Sequence, residues 1–255
     1  MLTFEQIKNS YRENEFSRNP RGALVEYLQY ELLDSIFKQK NSEKLSFIGG
    51  TAVRLVYGSA RFSEDLDFDN FGLSFDEFEV LLSKAAADMR LKDLVVEVRM
   101  VEKLAYHCYI KFPDLLFMNK LNPLANEKIL IRVDAMHKDS SVLPRLVTLD
   151  RFGVYRTIRV NPLEVILAQK MLAVLDREKG RDLFDISYLY SLVSEPDFKY
   201  LKHYKIDRMS LKKQLVDRLE KFDLKKMIED VKPFLLDADQ IARVETFREF
   251  IKGRL

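Results

Sequence analysis

The spacing of apolar positions changes twice along the chain. In the first forty residues it is helical. Leu24, Leu28, Leu32 and Ile36 recur every fourth residue, with Leu33 and Phe37 widening the stripe, as expected of a helix laid against a core. The spacing predicts one helix over Leu2 to Phe16 and another over Arg21 to Lys40. Asn19-Pro20 separates them, since proline at a first helical position after a capping residue begins a new helix.

From Leu45 to Val160 the spacing shortens to two. Leu45 to Ile48 reads as an apolar strand that runs into Gly49-Gly50, and a short helix follows from about Thr51. Asp65, Asp67 and Asp69 then alternate with Leu66 and Phe68. Further strands are predicted over Leu94 to Met100, Ala105 to Phe112 and Lys128 to Ala135, the last ending near Asp134. Arg145 to Leu149 and Val154 to Val160 form a final pair. A second helix interrupts them, Ser74 to Met89, opened by Ser74 with Glu77 as its capping-box partner. Strands with so few helices between them indicate a mixed or antiparallel sheet, not a doubly wound one.

After Val160 the pattern is wholly helical. Asn161-Pro162-Leu163-Glu164 is a helix start, with Asn as cap, Pro first and Glu third. That helix is expected to reach Asp176, with another from about Arg181 to Leu192 and three or four more beyond Pro196. The fold class read from the chain is α+β. A mixed-sheet part with two N-terminal helices occupies 1–160, and a helical part occupies 161–255.

The stretch with chemistry is 47–69. Residues two apart on a strand share a face, so the three aspartates lie on one side. Carboxylates that close repel one another unless a cation sits among them, and a hard divalent ion such as Mg²⁺ suits oxygen donors. Gly49-Gly50 before a helix N-terminus offers close backbone approach and free N–H groups to a phosphate. Together these describe a site for a nucleoside triphosphate with Mg²⁺. A strand–turn–helix with a solvated acidic end is the plain alternative.

A second constellation lies in the helical part. Lys170 and Arg177, two turns apart on the first helix there, share a face suited to a triphosphate. Arg181, Asp182 and Asp185 follow at the start of the next helix. The two carboxylates can hold those cations in place, take a proton from an acceptor hydroxyl, or cap the helix. A salt-bridged helical turn without chemistry is equally open. His107, His137 and His203 are scattered without ligand spacing, which points to surface or packing roles.

Bulk composition narrows the picture. Of 255 residues 47% are hydrophobic, enough for a real core. No apolar run approaches a membrane span, and the first residues lack the core of a signal peptide, so a cytoplasmic protein with no membrane partner is expected. Cys108 is the single cysteine, which excludes an internal disulfide or a Cys-based zinc site. The net charge of +2 is unevenly spread. Residues 64–97 hold ten acids against three bases, and 199–226 hold ten bases against four acids. Such a split suits an acidic metal site beside a surface that holds a polyanion.

Two motif blocks carry a family resemblance. Ile48-Gly49-Gly50-Thr51-Ala52, then Arg54-Leu55, Tyr57-Gly58 and Arg61-Phe62-Ser63-Glu64-Asp65-Leu66-Asp67-Phe68 form the first. Asn161-Pro162, Lys170 through Arg177 and Arg181-Asp182-Leu183-Phe184-Asp185 form the second. Over about 45–190 the chain resembles the AbiEii/AbiGii-type nucleotidyltransferases, of the DNA polymerase β-like superfamily. Members are typically toxins of bacterial toxin–antitoxin and phage-abortive-infection systems, encoded beside an antitoxin, and some act on tRNA 3′ ends.

The resemblance implies Mg²⁺-dependent transfer of a nucleotidyl group from an NTP to an acceptor hydroxyl, with a tRNA 3′ end as the first acceptor. A cognate antitoxin is the implied protein partner. By position, Asp65 and Asp67 would hold the metal, and Gly49, Gly50 and Thr51 would face the triphosphate with Arg61 and Ser63 nearby. Lys170, with Arg177 behind it, would contact the phosphates, and Asp182 or Asp185 would complete the site. The third metal-binding acid is assigned to Asp134, with Glu97 as the other candidate. The motif reads Gly-Gly-Thr where Gly-Ser is usual in the superfamily, which leaves nucleotide choice open. Nucleotidylylation of a protein hydroxyl is the rival reaction. A non-catalytic module that binds antitoxin or RNA is the rival from outside enzymes.

Overall fold

Seven strands form one mixed sheet in the computed structural model, which describes residues 1–138 and 142–254. They are β1 (Leu45–Ile48), β2 (Leu66–Asn70), β3 (Glu97–Glu102), β4 (Tyr106–Phe112), β5 (Ile129–His137), β6 (Arg145–Arg151) and β7 (Val154–Val160). Their spatial order is β3-β4-β5-β2-β1-β7-β6. The outer pairs β3–β4 and β6–β7 are antiparallel, as is the central pair β1–β2. The β2–β5 and β1–β7 pairings are parallel. Pairing to β2 carries β5 past Asp134, because Met136 and His137 lie opposite Asp69 and Asn70.

The N-terminal helical stretch is three helices, α1 (Phe4–Lys8), α2 (Glu13–Arg18) and α3 (Pro20–Phe37). The single helix expected over 2–16 is broken after Lys8, where the Ser10 hydroxyl donates back to the Gln6 carbonyl and satisfies a group the helix would otherwise leave open. Asn19 opens α3 as expected, its side-chain oxygen accepting from the Gly22 N–H at 2.6 Å. Every residue of α3 from Ala23 to Ile36 is buried, so it is a central helix and not an amphipathic surface one. Its polar residues survive burial because they are paired. Glu26 accepts from Arg54 and Arg151, and Gln29 donates to the Ser63 and Glu64 carbonyls.

The remaining helices are α4 (Gly49–Leu55), α5 (Phe75–Arg90), α6 (Leu115–Met118), α7 (Leu163–Asp176), α8 (Gly180–Leu189), α9 (Phe198–Lys202), α10 (Arg208–Leu219), α11 (Leu224–Val231), α12 (Ala242–Glu245) and α13 (Phe247–Arg254). The Ser74–Glu77 capping box opens α5. At α7 the cap differs from expectation. Pro162 occupies the cap position, and the Asn161 side chain turns inward to Ser46 and Asp69. A buried carboxylate is the costlier group to leave short of donors, so Asp69 claims the Asn161 amide beside that of Gln169. Sheet and helices share one apolar core. Phe47, Phe68 and Ile131 from the sheet meet Leu28 and Leu32 of α3, Ile166 of α7 and Leu183 of α8. Burying each such side chain contributes about 1.5–3 kcal/mol.

Candidate active site

The site lies where β1, β2 and β5 meet the first turn of α4 and the α7–α8 junction. Gly49 adopts φ +79°, a left-handed conformation that glycine takes without strain. It also allows a close approach, since a Cβ there would stand 2.2 Å from Asp67 Oδ2. At Gly50 a Cβ would stand 2.3 Å from Arg61 Nη2 and 3.0 Å from Ser63 Oγ. Both glycines therefore form the wall against which the site's charged groups close. No side chain caps this end of α4. Thr51 is fully buried, and its hydroxyl donates to the Asp65 carbonyl. Its side chain thus pins the chain before β2 and lines neither of the two cavities at the site.

Asp67 and Asp134 are direct partners across the parallel β2–β5 pair. Glu97 is on the sheet edge in β3 and pairs with Lys128 at 2.6 Å, so the acid the structure sets beside Asp67 is Asp134. Asp65, just before β2, completes the group. Burial pushes the Asp67 carboxyl up to about 6, the nearby Asp65 charge adds to the rise, and Lys170 opposes it. Asp65 is also raised, by burial first, against the pull of Arg132.

Arg132 holds these acids in their present arrangement. Its Nη2 donates to Asp65 Oδ2 at 2.9 Å. Its Nε stands 2.9 Å from Asp134 Oδ2 at an angle too poor for a hydrogen bond. His107, opposite Asp134 in the antiparallel β4–β5 register, places Nδ1 2.8 Å from Asp134 Oδ1. In this arrangement no three His, Cys, Asp or Glu side chains among the described residues stand ready to enclose an ion. The donor set nevertheless fits a hard divalent cation. It consists of carboxylates, two of them raised by burial and mutual repulsion, facing a glycine wall. A cation bound there would take over the neutralising role of Arg132.

The second constellation is a buried ion cluster. Lys170, largely buried on α7, donates to Asp182 at 2.9 Å and stands 2.8 Å from Asp185. Arg61 forks onto Asp185 at 2.7 and 2.6 Å. Arg177, the cap residue ending α7, reaches Asp182 at 2.7 Å. Burial works against every charge here, and the partners override it. Asp182 is held well below the ordinary carboxylate range by Lys170 and Arg177, and Asp185 is lowered by Arg61 and Lys170. Lys170 is raised by Asp182 and Asp185, so it stays charged. Among the roles left open for the two acids, the geometry matches the holding of cations.

Two cavities open on either side of Asp67, Lys170 and Arg177. The smaller, about 240 Å³, is densely charged: six cations, among them Arg177, Lys179 and Arg181, line it with four carboxylates, Glu64, Asp65, Asp67 and Asp182, beside Gly50 and Ser63. The larger, about 530 Å³, runs past Gly49, Asp134 and His107 to an aromatic end at Tyr200 and Tyr204.

Sequence reasoning passed over Arg132, His107, Gln169 and the two tyrosines. Arg132 shares a strand face with Asp134 at a spacing of two, a signal present in the chain. His107 is found only once the β4–β5 register is known, and Tyr200 only once α9 is seen to pack on α7.

Residues 31–252 match the family model described as nucleotidyl transferase AbiEii toxin, type IV toxin–antitoxin system, and the chain belongs to that family. Among solved structures it resembles MenT4, a nucleotidyltransferase toxin from Mycobacterium tuberculosis, at 16% identity and a TM-score of 0.62, over 98% of this chain and 90% of that one. It also resembles JHP933 from Helicobacter pylori, at 20% identity and a TM-score of 0.52, over 92% and 93% of the two chains. At such identities these likenesses establish the α+β fold. A search of curated protein sequences finds no match. Family membership brings an NTP substrate and an antitoxin partner with it. No helix among the described residues is long and apolar enough to cross a membrane.

Proposed function

We propose that the chain transfers a nucleotidyl group from an NTP to the terminal hydroxyl of a tRNA, in the presence of Mg²⁺, at the site built on Asp65, Asp67 and Asp134. The observation that carries this reading is Asp67 at the junction of two cavities, one lined by six cationic side chains among the acids and the other ending in two tyrosines, which suits the halves of a nucleotide. Asp65, Asp67 and Asp134 would hold the metal, which when bound supplies positive charge at the attacking oxygen and at the departing phosphates.

In the reaction the acceptor oxygen bonds to the α-phosphorus and gives up its proton to solvent water. The bond from that phosphorus to its bridging oxygen breaks, and pyrophosphate leaves. Arg177, Lys179 and Arg181 bind the triphosphate, with Gly50 and Ser63 giving it room. Lys170 sets positive charge close to Asp67. Asp182 and Asp185 are positioning residues that keep Lys170, Arg177 and Arg61 charged and aimed. Little covalent work falls to the protein, and positioning with electrostatics supplies the rate.

The tRNA acceptor is favoured over a protein hydroxyl by the basic tract 199–226. Tyr200 and Tyr204, from within it, line the larger cavity, and Lys138 at the end of β5 donates to the Tyr204 hydroxyl at 3.1 Å. The tract thus meets the larger cavity through these two tyrosines, and its lysines and arginines would hold the polyanion outside it. The test is incubation of the purified protein with Mg²⁺, each α-³²P-labelled NTP in turn, and either total bacterial tRNA or lysate protein. Label in the tRNA band that vanishes in Asp65→Ala is expected. Label in a protein band moves the acceptor to the rival class, and no label from a folded sample defeats the proposal.

A further inference from the structure

Strands β3, β4 and β5 have two unlike faces. On one, Cys108, Ile110, Ile131 and Val133 are buried in the core shared with α3 and α5. On the other, Arg99, Lys111 and Leu130 are exposed and Tyr109 is half-buried, so this face is open to solvent. Register sets its side chains in rows that cross the strands. Arg99 stands opposite Tyr109, and Tyr109 opposite Arg132, whose guanidinium reaches Asp65. The row on one side is Val101, His107 and Asp134, which ends beside Asp67. The row on the other side is Glu97, Lys111 and Leu130. Neighbouring strands lie about 4.8 Å apart. Arg99, three strands from β2, is therefore roughly 14 Å from that strand.

Charge on this face is one-sided. Apart from Asp65 and Asp134, which belong to the site, its acid is Glu97, and Lys128 neutralises that at 2.6 Å. Arg132 is turned toward the site. Arg99 and Lys111 take part in no ion pair among the described residues, so both keep their charge for something outside the chain. Between and beside them stand the Tyr109 ring and the Leu130 side chain, 44% exposed. An aromatic ring on a sheet face, flanked by uncommitted cations, has what a single-stranded nucleic acid needs. The ring stacks on a base, and the cations meet the phosphates.

We propose that the open face of β3, β4 and β5 is a platform for the single-stranded 3′ end of an RNA acceptor, with Tyr109 stacking on a base and Arg99 and Lys111 taking phosphates. The strand enters over the β3 edge and follows the rows inward, so that its terminal hydroxyl arrives at Asp65 and Asp67. The tract 199–226 then holds the body of the RNA, and the platform its last nucleotides. The inference rests on the transfer to RNA proposed above and deepens it by giving the acceptor strand its path.

The test measures fluorescence anisotropy of a 5′-labelled single-stranded RNA of about 12 nucleotides, within the span such surfaces cover, on the full chain with Mg²⁺. Tyr109→Ala, Tyr109→Phe, Arg99→Ala and Lys111→Ala are compared with wild type. Tyr155→Ala is the control, since Tyr155 is 75% exposed on β7, beyond β2 and β1 in the sheet. Tyr109→Ala should weaken binding roughly five- to a hundredfold, the worth of one stacked base, while Tyr109→Phe and Tyr155→Ala bind as wild type does. Arg99→Ala and Lys111→Ala should each lower the slope of log affinity against log salt by about 0.7, as loss of one phosphate contact requires. In the transfer assay, Tyr109→Ala should raise KM for tRNA and leave KM for the NTP unmoved. Arg99 and Lys111 are exposed, so their variants fold even where Tyr109→Ala does not. Single-strand affinity that ignores Tyr109, Arg99 and Lys111, in a protein that labels tRNA, overturns the platform. Label confined to protein in the transfer assay defeats instead the reading on which the platform rests.

Discussion

Replacing Asp67 with Asn is expected to stabilise the metal-free protein at pH 8 while abolishing transfer. Burial and the neighbouring Asp65 raise the Asp67 carboxyl from 3.8 to about 6. The sign follows from linkage. A carboxyl raised on folding contributes stability that is fully present below pH 4 and is lost as the pH rises through 6. A rise of roughly 2 units is worth about 3 kcal/mol, and in a chain of this size that corresponds to about 6–12 °C in Tm. Asn mimics the protonated acid at every pH and avoids that loss. The figure is a ceiling, because the new amide must find partners of its own. The assay is thermal unfolding of both proteins in EDTA at pH 4.5 and pH 8. The difference between the two is the readout, since Asp182 and Asp185, lowered on folding, weaken both proteins alike in acid. Asn should lead by several degrees at pH 8 and by little at pH 4.5. Excess Mg²⁺ should then raise the wild type alone, through binding to the native state. An Asn variant less stable than wild type at pH 8, or a difference that ignores pH, refutes the reasoning.

Three further outcomes are expected. Lys170→Met should cost about 3 kcal/mol in a urea titration, the lower end for a broken buried ion pair, because Arg177 and Arg61 still hold Asp182 and Asp185; an unchanged midpoint contradicts the cluster. Gly49→Ala meets both an unfavourable φ and the Asp67 carboxylate at 2.2 Å. It should fold with a loss of about 1–2 kcal/mol yet show transfer reduced at least a hundredfold. Arg132→Ala frees Asp65 and Asp134 from their counter-ion, so Mn²⁺ affinity measured by calorimetry should rise several-fold; weaker binding would make Arg132 a partner of the metal site and not its competitor.

Much of this architecture is legible in the chain because its signals are local. The alternation of Ile129, Ile131 and Val133 against Arg132 and Asp134 gives β5 and its two faces, and the buried set is the apolar one. The Gly49-Gly50 turn and the Asp65–Asp67 strand lie close together in sequence, and they close on each other as their chemistry suggests. What sequence could not supply is register and competition. Asp134 becomes the partner of Asp67 only through the parallel β2–β5 pairing, a contact between residues 67 apart in the chain. Asn161 looks like a helix cap until Asp69, reached through the fold, claims its amide. Asp182 and Asp185 keep three roles open in sequence. Their tie to Lys170, Arg177 and Arg61 rests on how α7, α8 and the turn before β2 pack.

The most direct measurement compares intact tRNA with tRNA whose 3′ terminal diol has been oxidised by periodate, both incubated with Mg²⁺, the active α-³²P-labelled NTP and either wild type or Asp67→Asn. The expected result is label on intact tRNA with wild type only, and none on oxidised tRNA. Wild-type labelling by folded Asp67→Asn would remove the acid from the centre of the site, and equal labelling of oxidised tRNA would move the acceptor hydroxyl away from the 3′ end.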